Sequence, residues 1–276
     1  MFWYDGALHE EPIAPFDLTD RGLNLADGIF DTSLAQNGRI FLLEPHLDRF
    51  ALAAEALAIP FSREAAADAL GRLAAAIGQG AVRLTLTRGG GARGLPLPKE
   101  PKPFLFGAAA PAPAPFPVLA LAVTSIRRNE SSPAARLKTL AYLDAILALR
   151  EASAKGAGEA LFLNGLGHVA SLSSANLFAV FGRRIVTPPL ADGVLPGTVR
   201  ALVLKRAPGL GFGAAEQSFD LAELSRADAI FATSSLKLIA PCGSLERHAF
   251  ASAENEVVHT LQAALRDAIE AECGTT

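Results

Sequence analysis

The sequence predicts an α+β protein with two unequal lobes. Segments with the two-residue period of β-strands and segments with the 3.6-residue period of helices are mixed along the whole chain. The 276 residues are enough for one large or two ordinary domains with real cores. A proline-rich connector near the middle of the chain separates two parts of different character, and neither part contains an internal repeat.

The connector lies within residues 103–126, which carry no charged side chain. This stretch is long enough to span a bilayer. However, its prolines alternate with alanines, and each proline would remove a helix hydrogen bond and favour an extended, semi-rigid chain. We therefore expect no membrane helix here. The expected parts are a small N-terminal α+β lobe over 1–112, a linker over 113–123 and a larger C-terminal lobe over 124–276.

In the first lobe, the Asn37–Gly38 pair is a strong signal for a β-hairpin. Glu44 and Pro45 suit the first turn of a helix that Pro60 would end. The other predicted elements of this lobe are a helix over 63–77 and a strand over 82–87, with Arg83 and Thr85 on one side of that strand.

In the second lobe, apolar alternation predicts strands, and longer amphipathic stretches predict helices. Pro196 places the start of one helix at Gly197, and Asp220 is a candidate N-cap for a short helix. The other predicted elements are strands over 118–126, 160–163, 177–181 and 229–232 and helices over 139–154, 197–205 and 254–271.

Composition excludes several classes of function. The 25 basic and 28 acidic side chains give a net charge of −3, which provides no electrostatic attraction for nucleic acid or an acidic membrane. The two cysteines cannot form a disulfide framework, and the five histidines are too scattered for a helical metal pair. A serine-hydrolase elbow and a P-loop are both absent from the sequence. We expect a cytoplasmic protein without a metal or a nucleic-acid partner.

Residues 89–94 match the GxGxxG fingerprint of dinucleotide-binding proteins. That fingerprint requires a helix to begin at its last glycine, and Pro96 and Pro98 exclude such a helix. We interpret the segment as a flexible glycine loop that displays Arg88 and Arg93. Either the loop is a solvated hairpin tip, or its guanidinium groups bind a substrate carboxylate.

Lys138 differs from the other five lysines because apolar residues surround it at the approach to a predicted helix. Desolvation there would lower the pKa of its amine, which is the requirement for a nucleophile that forms a Schiff base. The alternative is a surface lysine whose stem covers apolar neighbours.

Three features could bind an anion such as a phosphate group. A helix that begins after residue 197 would present the free N–H groups of Thr198 and Val199 at the positive end of its dipole. Hydroxyl groups over 233–235 follow a buried strand, and Arg49 offers a permanent charge. Each feature alone is usually structural, as an N-cap, a turn or a helix arginine.

Several motifs occur in order along nearly the whole chain. They are DRG at 20–22, ADGIFDT at 26–32, EPHLDR at 44–49, LKTLAYL at 137–143, EAL at 159–161, SSANLF at 173–178, LPGTVR at 195–200 and FATSSLKLIAP at 231–241. Together they resemble the class IV, or fold type IV, enzymes that depend on pyridoxal 5′-phosphate (PLP). These enzymes include branched-chain aminotransferases, D-amino-acid aminotransferases and aminodeoxychorismate lyases.

The resemblance implies a small α/β sandwich lobe and a larger barrel-like lobe with PLP in the cleft, often in a homodimer that completes the site. It implies that Lys138 forms the Schiff base with PLP and then moves a proton. The cofactor-binding residues that it implies are Arg49, Lys138, Tyr142, Ser171, Thr198, Val199, Ser234 and Ser235, and the substrate-binding residues are Phe30, Arg88 and Arg93.

Ser171 departs most sharply from the family pattern. Family members have a glutamate there, which keeps the pyridine nitrogen protonated so that the ring accepts carbanion electrons. A serine hydroxyl cannot supply that charge. The change handicaps transamination and bears less heavily on an elimination that makes an aromatic product.

The resemblance leaves three functions open. The first is an aminotransferase that moves an amino group between a branched-chain or D-amino acid and a 2-keto acid. The second is an aminodeoxychorismate lyase that releases 4-aminobenzoate and pyruvate, which the RGGGARG loop at 88–94 favours. The third is a non-catalytic PLP-binding relative, suggested by Ser171. Arg93 coincides with a carboxylate-binding position of D-amino-acid aminotransferases, and the Tyr-x-Arg-Pro pattern of branched-chain enzymes is absent.

Overall fold

The computed structural model describes residues 1–274 and confirms the α+β class. Contacts divide the chain into two compact units. The first contains residues up to Ala112, the segment Leu137–Ala141 and residues 268–274, and the second contains Pro113–Arg136 and Tyr142–Asp267. The segment that carries Lys138 therefore packs with the first unit, whereas the sequence analysis placed it in the larger C-terminal lobe.

The first unit is built on an antiparallel sheet of six strands in the order β2-β1-β6-β5-β3-β4. Its elements are β1 (Phe2–Tyr4), β2 (Ala7–His9), α1 (Arg21–Leu25), β3 (Gly28–Gln36), β4 (Arg39–Ile40), α2 (Leu43–Ala56), α3 (Arg63–Ile77), β5 (Gly80–Thr87) and β6 (Phe104–Ala110).

Strand β3 separates the core of this unit from the face that carries Lys138. Ile29 and Ala35 belong to the apolar core formed with α2 and α3, whereas Phe30 points to the opposite face because successive side chains alternate across a sheet. The predicted hairpin is confirmed: Asn37 and Gly38 connect β3 to β4 with φ values of +51° and +73°. Positive φ at both central residues is what a type I′ turn requires.

The second unit contains a mixed sheet of nine strands in the order β12-β11-β10-β13-β14-β7-β8-β9, with β15 added beside β14. Its elements are β7 (Leu119–Arg128), α4 (Leu143–Ala154), β8 (Glu159–Asn164), β9 (Val169–Leu172), β10 (Asn176–Phe181), β11 (Arg184–Thr187), α5 (Thr198–Arg206), β12 (Gly213–Glu216), α6 (Leu221–Leu224), β13 (Ala229–Ser234), β14 (Leu238–Leu245), β15 (His248–Ala249) and α7 (Glu256–Cys273), whose last residues group with the first unit.

Two expected boundaries are corrected. The linker expected over 113–123 is too long, because β7 begins at Leu119 and pairs in parallel with both β14 and β8. The helix expected from residue 139 begins at Leu143, since the backbone from Lys138 to Leu140 bonds to β3 instead. Among residues 1–274, no helix combines the length and apolar character needed to cross a bilayer.

Candidate active site

Lys138 lies in a short segment that adds to the edge of β3 near its beginning. The amide of Phe30 donates to the carbonyl of Lys138 at 2.9 Å, and the amide of Leu140 donates to the carbonyl of Gly28 at 3.0 Å. Gly28 permits this approach, because a Cβ there would lie 2.8 Å from the Leu140 side chain. Backbone hydrogen bonds on both sides therefore fix the position of Lys138.

The side chain of Lys138 shares an aromatic ring with an arginine. The Lys138 Nζ atom lies 4.5 Å from the ring centroid of Phe30, and the guanidinium carbon of Arg83 lies 3.7 Å from the same centroid. Both distances are within the range of cation–π contacts. Arg83 was missed as a site residue. Its alternation with Thr85 was visible in the sequence, but nothing local showed that this face also carries Lys138.

Arg49 forms a buried ion pair with Asp31. Its Nε and Nη2 atoms donate to the two carboxylate oxygens of Asp31, each at 2.8 Å, and His46 Nδ1 lies 2.8 Å from one of these oxygens. Burial by itself raises the pKa of Asp31, but the charges and hydrogen bonds of Arg49 and His46 outweigh burial and hold the pKa well below its usual range. Because side chains alternate across a strand, Asp31 and Phe30 lie on opposite faces of β3. A phosphate-binding role for Arg49 stays a prediction.

Arg88 is a structural residue. The prediction that the glycine loop displays Arg88 for a substrate carboxylate is therefore corrected. It is 3% exposed, and its Nε and Nη2 atoms donate to both oxygens of Asp27 at 2.8 and 3.0 Å. Arg21 also donates to Asp27 and to backbone carbonyls over 94–96, which anchors the glycine loop. Arg93 is exposed on this loop. These partners are distant in sequence, so composition and spacing could not identify them.

In the second unit, the N-terminus of α5 has the properties of an anion site. Gly197 is the N-cap and contributes no side-chain cap, and a Cβ there would lie 2.0 Å from Asn176 Oδ1. Thr198 and Val199, the first helical residues, are both buried. The Thr198 hydroxyl makes no hydrogen bond to any residue within 1–274. A helix N-terminus with an unused buried hydroxyl suits a phosphate group.

Asn176 links this helix end to the end of β13. Its Nδ2 atom donates to the carbonyl of Leu195 at 2.9 Å, and Asn176 pairs with Thr233 in the sheet. The Thr233 hydroxyl is buried and has no partner within residues 1–274. Ser234 ends the strand and Ser235 follows it, both half-buried. In the sheet, Asn176 therefore lies opposite Thr233 and next to the expected Ser234. The hydroxyl groups were predicted from the sequence, but Asn176 was not.

Ser171 pairs with Phe162, whose ring contacts the half-buried guanidinium group of Arg128. The pairing joins β9 to β8, and the guanidinium carbon of Arg128 lies 4.2 Å from the Phe162 ring centroid. Burial lowers the pKa of Arg128, with an opposing contribution from Tyr142, the N-cap of α4. Arg128 Nε is buried and has no hydrogen-bond partner within residues 1–274. Sequence reasoning missed Arg128, whose burial is decided by β7 and β8 together.

Lys237, another lysine of the second unit, forms an ion pair with a buried carboxylate. Its Nζ atom lies 2.5 Å from Oε1 of the buried Glu159. The amine is therefore occupied by a buried carboxylate and does not lie free for a Schiff base. Within residues 1–274, no group of three or more His, Cys, Asp or Glu side chains could hold a metal ion.

Comparison with known proteins establishes the family. The family described as class IV amino-transferases matches residues 28–245, most of the chain. The chain belongs to the class IV aminotransferase family. It is 30% identical to a Methanocaldococcus jannaschii protein assigned as a branched-chain-amino-acid aminotransferase, over 87% of this chain and 85% of that protein. It is 29% identical to the aminodeoxychorismate lyase of Bacillus subtilis, over 95% of this chain and 92% of the lyase.

A solved structure is also similar to this class IV enzyme. The 4-amino-4-deoxychorismate lyase of Pseudomonas aeruginosa superimposes with a TM-score of 0.87 and 34% identity, covering 97% of this chain and 98% of the lyase chain. The fold is therefore the fold type IV architecture that the motifs implied.

PLP is the cofactor of this enzyme family. The residues present fit it: the free end of α5 and the unused hydroxyls of Thr198 and Thr233 suit its phosphate, and Lys138 is an amine held beside an aromatic wall.

Proposed function

We propose that this enzyme is a PLP-dependent aminotransferase that moves an amino group between an amino acid and a 2-keto acid. The observation that carries the proposal is the fixed position of Lys138, whose Nζ atom lies over Phe30 next to Arg83. Bound PLP supplies the electron sink that acidifies the Cα–H bond of the amino acid. Each further step depends on groups that the chain itself provides.

Lys138 would act as the base and the acid of the reaction. Its Nζ atom would take up the proton that leaves the substrate Cα, hold it, and give it back later in the reaction. The ring of Phe30 would form an apolar wall on one side of Nζ. The exposed side chain of Arg83 contacts the same Phe30 ring and would bind a carboxylate of the substrate through charge-assisted hydrogen bonds.

The phosphate of PLP would be held in the second unit. The backbone N–H groups of Thr198 and Val199 at the start of α5 would donate to its oxygens, and the hydroxyls of Thr198, Thr233 and Ser235 would add further hydrogen bonds. Ser234 can still donate its hydroxyl proton while it accepts from the amide of Lys237. Arg49 remains a further candidate.

Aminodeoxychorismate lyase activity is the second candidate, and a specific observation favours it. Ser171 offers no carboxylate, and the nearest charge identified around its partner Phe162 is the cationic Arg128. Protonation of the pyridine nitrogen is therefore unsupported, which weakens the electron sink. An elimination that forms aromatic 4-aminobenzoate and releases pyruvate depends less on that sink.

One pair of assays separates these functions. Purified enzyme with PLP would be tested for keto-acid-dependent amino exchange over panels of L- and D-amino acids, and for release of pyruvate and 4-aminobenzoate from aminodeoxychorismate. Exchange without release supports the aminotransferase, and release without exchange supports the lyase. An unchanged cofactor absorption spectrum with every amino acid, and no release, would instead support a non-catalytic PLP-binding protein.

We also propose that the enzyme is a cytoplasmic homodimer. One side of α4 exposes Leu143 (65%), Ile146 (62%) and Leu149 (38%), an apolar stripe at helical spacing that a second copy could cover. Both cysteines, Cys242 and Cys273, are free thiols, which suits a reducing compartment.

A further inference from the structure

Glu159, at the start of β8, is a buried carboxylate at the centre of a polar cluster in the second unit. It is 2% exposed. Its Oε1 atom accepts from Lys237 Nζ and from the Ser174 hydroxyl, both at 2.5 Å, and its Oε2 atom accepts from the Ser173 hydroxyl at 2.5 Å. Lys237 Nζ also donates to the Ser174 hydroxyl at 2.7 Å. The charge of Glu159 is therefore matched by one cation and two hydroxyls.

Lys237 lies in the turn between β13 and β14, and this turn contains the candidate phosphate hydroxyls. The backbone amide of Lys237 donates to the Ser234 hydroxyl at 3.1 Å, which closes the turn around Ser235. The next residue, Leu238, has a φ of +57°, an unfavourable conformation for a branched side chain. The turn therefore needs an anchor that holds its shape.

The two serines that bond to Glu159 also lie near the candidate phosphate site. Ser173 and Ser174 belong to the turn before Asn176, where the Leu172 amide donates to the Ala175 carbonyl at 2.9 Å. Asn176 in turn pairs with Thr233 and lies against Gly197 at the start of α5. Glu159 thus ties together the two turns on either side of the Asn176–Thr233 pair.

We propose that Glu159 and Lys237 are positioning residues that hold these two turns in the geometry that binds the cofactor phosphate. This proposal rests on the proposed function, since it assigns the phosphate of PLP to the region of Thr198, Thr233 and Ser235. Glu159 and Lys237 act on the phosphate only through these two turns. Loss of the pair weakens the binding of phosphate-bearing ligands and leaves the binding of the pyridine ring largely unaffected.

The test compares three ligands on the full-length protein: PLP, pyridoxal, which lacks the phosphate, and inorganic phosphate. Dissociation constants would be measured by fluorescence or calorimetric titration for the wild type, Lys237→Met and Glu159→Gln. The matched control is Lys155→Met, because Lys155 pairs with Glu246 at 3.2 Å but both side chains are about half exposed. Such surface pairs contribute little.

Lys237→Met is expected to raise the dissociation constants of PLP and inorganic phosphate about tenfold or more, as one lost set of charge-assisted contacts implies. The dissociation constant of pyridoxal should rise less than about threefold. Lys155→Met should change all three dissociation constants less than about twofold. Equal weakening of PLP and pyridoxal, or no weakening of PLP, would overturn the proposal. If the wild type binds no PLP, the proposed function fails, while the phosphate titration still decides whether the pair shapes an anion site.

Removing one partner of a buried ion pair can prevent folding. Two further variants keep the test decisive in that case. Lys237→Arg retains the charge, and its PLP affinity should stay within about threefold of the wild type. The double variant Glu159→Gln with Lys237→Met removes both charges and should restore thermal stability without restoring PLP affinity. Restored affinity in the double variant would show that the pair matters only for folding.

Discussion

The carbonyl of Lys138 accepts a hydrogen bond from the backbone amide of Phe30 at 2.9 Å, so strand β3 determines where the lysine stands. The same residue, Phe30, provides the ring over which Lys138 Nζ lies. Backbone and side chain of Phe30 therefore act together on one lysine. This relationship explains how β3 fixes the position of the lysine that we propose as the Schiff-base residue.

Lys138→Ala is expected to abolish the cofactor label that borohydride reduction leaves on the protein, because no other amine occupies that position. The fold should persist, since the backbone hydrogen bonds of residue 138 do not use the side chain. Mass spectrometry of peptides from the reduced protein measures the label, with Lys155→Ala as the control. A label that persists on Lys237 would contradict the assignment.

Arg83→Met is expected to lower kcat/KM about 10- to 100-fold for dicarboxylate substrates, the loss implied by one charge-assisted contact. Substrates with an apolar side chain should lose less. Arg83→Lys keeps a charge and serves as the matched comparison. Steady-state kinetics with both substrate types provide the measurement, and an equal loss for both would argue that Arg83 only supports Phe30.

Ser171→Glu is expected to place a carboxylate beside Phe162, within reach of the half-buried Arg128. The new charge should favour protonation of the pyridine nitrogen and raise the rate of amino exchange relative to elimination. Single-turnover spectra with an amino acid and an aminodeoxychorismate assay measure the two rates. Ser171→Ala, which adds no charge, should leave their ratio unchanged, and an unaltered ratio in Ser171→Glu would mean that residue 171 does not face the ring nitrogen.

Asp31→Asn should destabilise the protein by about 3 kcal/mol at neutral pH, because it removes the buried negative charge that pairs with Arg49. The pKa of Asp31 is lowered in the folded state, so its contribution is complete above the unfolded value of about 3.9 and falls as the pH drops below it. Denaturant unfolding from pH 3 to 7 would then show that wild type and variant differ less in free energy of unfolding below about pH 4. A difference that does not depend on pH would contradict the charged pair.

Ile146→Asp is expected to shift the protein from dimer to monomer, because it puts a charge in the middle of the apolar side of α4. Light scattering after size exclusion measures the mass. Asp144→Lys, at an exposed position about half a turn away from Ile146 around the same helix, is the control for helix stability. A variant that keeps the mass of the wild type would place any interface elsewhere.

Local signals predicted the fold well where the physical cause is local. The Asn37–Gly38 turn and the helix over 63–77 were both correct, because turn conformation and apolar periodicity are properties of neighbouring residues. The start of α4 was not predicted, since β3 competes for the backbone around Lys138. The roles of the site residues named from the family motifs stay predictions.

Roles that depend on distant partners could not be predicted. Arg88 looked like a displayed substrate-binding group, but it is buried against Asp27, 61 residues away. Arg83 and Arg128 carried no local sign of importance, because only sheet register places them next to Phe30 and Phe162.

The sequence by itself determined the α+β class and the order of the class IV motifs, and it singled out Lys138, whose role stays a prediction. Only the tertiary structure decided which charged groups are exposed for binding and which are neutralised inside. The physical reason is that a charge is stable in the interior only beside its partner. The partners of Arg88 and Lys237 come from other parts of the chain, so folding brings them together.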